Sequence, residues 1–271
     1  MKEATMSSLL TNKGEVYSSL FLWYNIFVRR CNMNNLYFNN KSAFDDFDLV
    51  VVNAIDYPFV QEIIEKVDVE GNKNGYLTIK TNQYQDMKIS VTFRLIKMDN
   101  YKNRMREINL WLSDIENNCL FFDDYMRKCY KVKKCNINPI KDLHFKSADF
   151  SVDFELFPFV FKNNEYYQTV QNNSEIYYEG DIESEPIIKL QLTNSEQNIS
   201  LFIGNQEIQL KKVKGTVIIN SEKKLITDDA KRSLSKKMVG DFPILTKGKN
   251  SVSWSGNISK FSILKNTIYK G

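Results

Sequence analysis

The feature that most constrains this chain is a strict two-residue alternation of apolar and polar side chains, a period that only an extended backbone with one buried face satisfies. In residues 88–95, Ile89, Val91, Phe93 and Leu95 share one face, while Lys88, Ser90, Thr92 and Arg94 share the other. Residues 148–156 repeat it, with Ala148, Phe150, Val152, Phe154 and Leu156 opposite Asp149, Ser151, Asp153 and Glu155. Tyr130 and Val132 alternate with Lys131 and Lys133 after an apolar run at 119–122. Asp123-Asp124-Tyr125-Met126 between them reads as a turn, so this stretch predicts a hairpin. One helix interrupts the strands: Met105, Ile108, Trp111, Leu112 and Ile115 recur at spacings of three and four. Asp99 or Asn100 can cap its start and Asn117-Asn118 can end it. A helix lying across a sheet makes this first region α+β.

Glycine usage divides the chain, because none occurs between Gly75 and Gly180 whereas six of the ten fall between 180 and 256. Turns every ten to twenty residues between short apolar runs there predict a β-sandwich. The runs at 199–203 and 208–210 flank Gly204-Asn205, and glycine suits the first central position of a type II′ turn. Further strands are expected at 217–219, 252–254 and 258–264. The fold class is therefore mainly β, an α+β domain followed by a β-sandwich, with the boundary placed after Pro158, near 162–165. The expected organisation is an N-terminal extension at 1–32, a first domain at 33–162 and a second at 163–271.

Residues 1–32 differ in character from the rest. Their apolar stretch at 20–28 is interrupted by Asn25 and closed by Arg29 and Arg30, which makes it too short to span a bilayer. A signal peptide carries its positive charge before the apolar segment, not after it. The expectation is an extension, which an upstream start codon would explain, with the compact protein beginning near Met33. No membrane partner is expected.

Composition excludes several chemistries. A net charge of +4 on 271 residues is too mild to argue for sequence-specific nucleic-acid binding. Four cysteines (Cys31, Cys119, Cys129 and Cys135) contain no C-x-x-C pair, so neither a disulfide scaffold nor a zinc ribbon is indicated. The single histidine, His144, rules out multi-histidine metal sites. It follows Pro139-Ile140-Lys141-Asp142-Leu143 in a connection between strands, with no G-x-S-x-G elbow anywhere to make it part of a hydrolase triad. Pairing His144 with Cys129 fares no better, because Cys129 alternates as a strand residue. A P-loop fails because Pro243 stands where its first glycine belongs and Asn250 replaces the hydroxyl residue. Asp149, Asp153 and Glu155 share a strand face, the arrangement a glycosidase would elaborate, but a solvated or partner-facing strand accounts for them more simply. No catalytic, cofactor-binding or metal-binding residue is assigned, and no enzyme is expected. One charged stretch stands out: residues 211–237 hold nine basic side chains against Glu222, Asp228 and Asp229. With no aromatics interleaved, it reads as a solvated loop or protein-docking face and not as a single-strand nucleic-acid groove.

The order of motifs from Met33 onward resembles the distal tail protein family of siphophages, long-tailed phages with non-contractile tails. Leu36-Tyr37-Phe38-Asn39-Asn40-Lys41-Ser42-Ala43-Phe44-Asp45-Asp46-Phe47 is similar to that family's opening strand, polar turn and D-D-F step. The stretch 67–75 resembles its V-x-V-x-G-x-x-G turn, in which Gly71 and Gly75 permit positive φ. Similarity continues through 180–188, 217–222, 240–245 and 248–256. The resemblance implies a structural virion protein of a phage or prophage. Its α+β domain would form a hexameric ring of self-associated copies, and its galectin-like β-sandwich would project outward. The ring would join the tail tube protein to the tail-associated or baseplate hub protein and carry receptor-binding parts at the tail tip, after assembly in the bacterial cytoplasm. Tyr84 and Met87 are candidate inter-subunit contacts. The alternative is a carbohydrate- or receptor-binding module, although the second domain has no histidine and only Arg232 as arginine, so it lacks the usual galectin sugar site.

Overall fold

The polar turn at Asn39-Asn40 opens the fold. Both asparagines adopt positive φ, 48° and 60°, which short polar side chains tolerate and tight hairpin turns require. They join β1 (Leu36–Phe38) to β2 (Lys41–Ser42). Ser42 then caps α1 (Ala43–Phe47), accepting from the Asp45 N–H at 3.0 Å while its own N–H donates to the Asp46 carboxylate at 2.7 Å. Asp48 turns left-handed to end that helix and start β3 (Leu49–Val51). The computed structural model describes residues 35–139, 142–144 and 147–271, apart from 72 and 74. The extension at 1–32 lies outside the described residues.

β4 (Glu62–Val67) and β5 (Leu77–Tyr84) pair as an antiparallel ribbon. In β6 (Met87–Leu95) buried and exposed residues alternate as the sequence predicts. The predicted helix is α2 (Tyr101–Ser113), with Ile108, Trp111 and Leu112 buried. Its limits differ from expectation. Asn100 is at the N-cap position but makes no side-chain capping bond, and the helix stops before Asn117. The stop comes from across the fold: the Asn39 amide donates to the carbonyls of Trp111 at 2.9 Å and Asp114 at 2.7 Å, and its oxygen accepts from the N–H groups of Glu116 and Asn117 at 2.9 and 3.0 Å. β7 (Cys119–Phe122), a 3₁₀ turn at Asp123–Tyr125 and β8 (Lys128–Ile137) form the expected hairpin. β9 (Asp142–His144) pairs with the start of β10 (Ser147–Lys162). The main sheet runs β2-β1-β7-β8-β10-β6-β3.

Two compact units divide the chain. The first takes the described part of Met1–Asp56 together with Ile89–Asp124 and Cys135–Phe154. Its core is aromatic. Phe47 stacks on Trp111 with centroids 4.6 Å apart, Phe38 meets Phe154 edge-on at 5.6 Å, and the Trp111 indole N–H donates to the Phe38 carbonyl at 2.8 Å.

The second unit takes Tyr57–Lys88, Tyr125–Lys134 and Glu155–Gly271. Its later part supplies β11 (Gln168–Val170), β12 (Ser174–Tyr178), β13 (Ile187–Leu192), β14 (Gln197–Ile203) and β15 (Gln206–Val213). β16 (Thr216–Asn220), β17 (Leu225–Asp228), β18 (Met238–Val239), β19 (Gly248–Ser255), β20 (Ile258–Leu264) and β21 (Ile268–Tyr269) follow. They form two five-stranded sheets, β11-β20-β13-β16-β17 and β12-β19-β14-β15-β18, enclosing a core that includes Ile188, Leu201, Val217 and Phe261. The β14–β15 hairpin turns on Gly204 at φ 58°, as a type II′ turn requires. Trp254 stacks on Phe261 at 5.0 Å and so faces the core. Tyr178 locks the C-terminus: its hydroxyl donates to the Ile182 carbonyl at 2.7 Å and accepts from the Ile268 N–H at 3.1 Å.

Candidate functional site

Most residues of the β4–β5 ribbon are exposed on both sides. The register pairs Glu65 with Ile79 and Val67 with Leu77, so Val67, Leu77 and Ile79 share one face of the ribbon while Ile64 and Lys66 share the other with Thr78 and Lys80. Leu77 is 52% exposed, Ile79 49% and Ile64 49%; Phe59, in the segment leading in, reaches 85%. A two-stranded ribbon covered on neither face has little stability of its own, and a contiguous exposed apolar face marks a contact surface. Gly71 and Gly75, at φ 82° and 80°, shape the connection between its strands. The root of the ribbon is held firmly. Gln85 N–H donates to the Gln61 carbonyl at 2.9 Å, Lys133 meets Asp86 at 2.5 Å, and Tyr84 packs edge-on against Phe159 at 4.8 Å. Met87 is 5% exposed and belongs to the core. The expectation that it contacts a neighbouring subunit is corrected, because β6 turns its side chain inward in phase with Ile89 and Val91.

The acidic strand face of β10 serves the sheet itself. Arg94 grips Asp149 through two parallel bonds, Nε to Oδ1 at 2.8 Å and Nη2 to Oδ2 at 2.7 Å, and the hydrogen bonds to Asp149 raise the Arg94 pKa. Asp153 accepts from the Ser90 hydroxyl at 2.5 Å. Asp149 and Asp153 are therefore engaged with a neighbouring strand. Cys129 is buried, and burial pushes the Cys135 thiol up to about 12, so Cys135 presents no thiolate at neutral pH. His144 lies on β9, beside the beginning of β10. Among the described residues no group of three or more His, Cys, Asp or Glu side chains is placed to hold a metal ion, and no helix is long and apolar enough to cross a membrane. Within the basic stretch, Lys224 pairs with Glu185 at 2.5 Å and Arg232 with Asp228 at 2.7 Å. The geometry thus offers surfaces for docking. The sequence pointed at Tyr84 but not at the ribbon tip, where the signal was the conflict between V-x-V alternation and charge on both faces of 62–70.

No protein-family model matches the chain, and no curated protein sequence matches it. Solved structures do. The chain is similar to the Dit protein of phage SPP1, whose structure is described as a paradigm of the hub adsorption apparatus in phages infecting Gram-positive bacteria. The TM-score is 0.63 at 9% identity, covering 86% of this chain and 98% of that one. It is also similar to a chain of the phage p2 baseplate in its activated conformation with strontium (TM-score 0.50, 9% identity, 85% of this chain and 96% of that one). The same baseplate with calcium gives a TM-score of 0.51 at 9% identity, with 85% and 96% covered. The fold is that of phage tail hub and baseplate proteins.

Proposed function

We propose that this chain is a structural distal tail protein of a siphophage or prophage, closing into a hexameric ring that joins the tail tube to the baseplate hub and carries receptor-binding parts. In this reading residues 33–162 build the ring and the galectin-like sandwich at 163–271 projects from it. The protein is assembled in the host cytoplasm, resides at the virion tail tip and acts through interfaces without catalysing a reaction. The observation that carries the proposal is the exposed apolar face of the β4–β5 ribbon. A ribbon that meets a different surface on the next copy makes a head-to-tail contact, which closes into a ring when the rotation allows. Covering half-exposed Leu77 and Ile79 contributes on the order of 1 kcal/mol each at every contact, repeated around the ring.

Mass photometry of the full chain, alone and with its tail tube protein, tests this. A six-subunit species is expected, and Leu77→Asp with Ile79→Asp is expected to leave folded monomers with unchanged thermal unfolding. A protein monomeric at every concentration, with tail partners present, would refute the ring.

A further inference from the structure

The ring reading leaves the basic stretch at 211–237 unused. The fold gathers part of it, Lys214, Arg232 and Lys237, along a cleft of about 920 Å³ in the second unit. That volume lies within the range of small-molecule sites. One wall is the segment after β17, and its backbone is fixed. The Asp228 carboxylate accepts from the Arg232 N–H at 2.8 Å and from its Nε at 2.7 Å, and the Leu234 N–H donates to the Ile226 carbonyl at 2.8 Å. The other wall is the turn after β13, tied down where the Leu192 N–H donates to the Gly215 carbonyl at 2.8 Å and the Gly215 N–H to the Thr193 carbonyl at 3.0 Å. Lys237 is held against the Lys212 carbonyl at 2.5 Å, which keeps its ammonium at the rim. Walls fixed before binding reduce the ordering cost a ligand must offset.

The lining defines the ligand. The Thr216 hydroxyl and the Asn194 amide offer both donors and acceptors, while the Ser259 and Ser233 hydroxyls, which donate to the Gln191 carbonyl and the Ser235 hydroxyl, keep lone pairs to accept with, a mixture that matches a polyhydroxylated chain. Asp228 already answers the charge of Arg232, so Lys214 and Lys237 set the sign against Asp229 and favour an anion. Among the described residues that line the cleft there is no aromatic ring, which leaves no stacking platform for a nucleobase. We infer that this cleft binds an anionic, hydroxyl-rich chain, a polyol or oligosaccharide bearing phosphate or carboxylate groups. The site works in a single copy, so it stands or falls separately from the ring.

Calorimetric titration of the full chain with polyglycerol phosphate and with oligogalacturonate distinguishes the two sources of charge, with neutral dextran and polyglutamate as controls. Binding to at least one of the first two is expected, with dextran much weaker. Lys214→Glu is expected to weaken it by about tenfold or more, the loss of one charge-assisted contact. Asn194→Trp, which fills the cleft from an exposed position, is expected to do the same. Lys223→Glu, in the same basic stretch but outside the cleft, is expected to leave binding nearly unchanged. Equal weakening by Lys214→Glu and Lys223→Glu, polyglutamate binding as tightly as the polyols, or no binding to either polymer would overturn the inference.

Discussion

Replacing Asn39 separates the two tasks this residue performs. Its side chain makes four hydrogen bonds, to Trp111 and Asp114 carbonyls and from Glu116 and Asn117 N–H groups, at 2.7–3.0 Å. Its backbone sits at φ 48°. Asn39→Gly keeps the backbone conformation and removes only the amide. Each bond contributes roughly 0.5 kcal/mol at a half-exposed site, so the loss is about 2 kcal/mol. For a chain of this size that lowers Tm by about 4–8 °C. Asn39→Ala adds the left-handed strain, on the order of 1 kcal/mol more. Thermal unfolding of both variants gives the ranking wild type, glycine, alanine. Hydrogen exchange gives a local readout: the Glu116 and Asn117 amides should lose protection in both variants while amides of β6 keep theirs. Equal stability of Asn39→Gly and wild type, with Glu116 and Asn117 still protected, would refute the claim that this amide ends α2.

Other consequences follow from the same reasoning. A Cβ added at Gly180 would fall 2.2 Å from the Tyr178 hydroxyl and 2.7 Å from the Ile268 carbonyl, so Gly180→Ala should destabilise the sandwich by about 3 kcal/mol; an unchanged urea midpoint would contradict this packing. Burial would raise the Asp48 pKa, but hydrogen bonds from Lys97 and Arg104 overcome it and hold the carboxyl below its usual range. A carboxylate depressed in the folded state stabilises above its unfolded pKa, and that stability is lost as pH falls through the folded value, below about pH 4. Asp48→Asn, which still accepts left-handed φ, should therefore flatten the acid limb of the stability–pH curve, and an unaltered limb would exclude the role. Cys135, with its thiol pushed up to about 12 by burial, should alkylate far more slowly with iodoacetamide at pH 8 than after unfolding, as followed by peptide mass mapping; equal rates would show an accessible thiolate.

The hub fold was legible where one local rule dominated. Alternation at 88–95 and 148–156 gave β6 and the first half of β10 with every inward residue correct, because a one-residue slip would have put Phe93 and Phe150 into water. Gly204 marked its hairpin because glycine takes the first position of a type II′ turn without steric cost. The helix stripe was legible, but its end was not: Asn117 looked like a stop signal, whereas Asn39, more than seventy residues away, supplies the bonds. In the ribbon the turn was legible from Gly71 and Gly75, but its uncovered faces were not, because exposure is not written in residue type.

By itself the sequence determined the strand and helix periods, the turns that need positive φ, and the lack of a P-loop motif, since each depends on neighbours within a few positions. Tertiary structure alone decided which apolar faces stay uncovered, which carboxylates are tied to Arg94 and Ser90, and which lysines meet across a cleft. Those outcomes depend on strands distant in sequence coming into register, and a surface becomes a binding site only through what the rest of the fold leaves unburied.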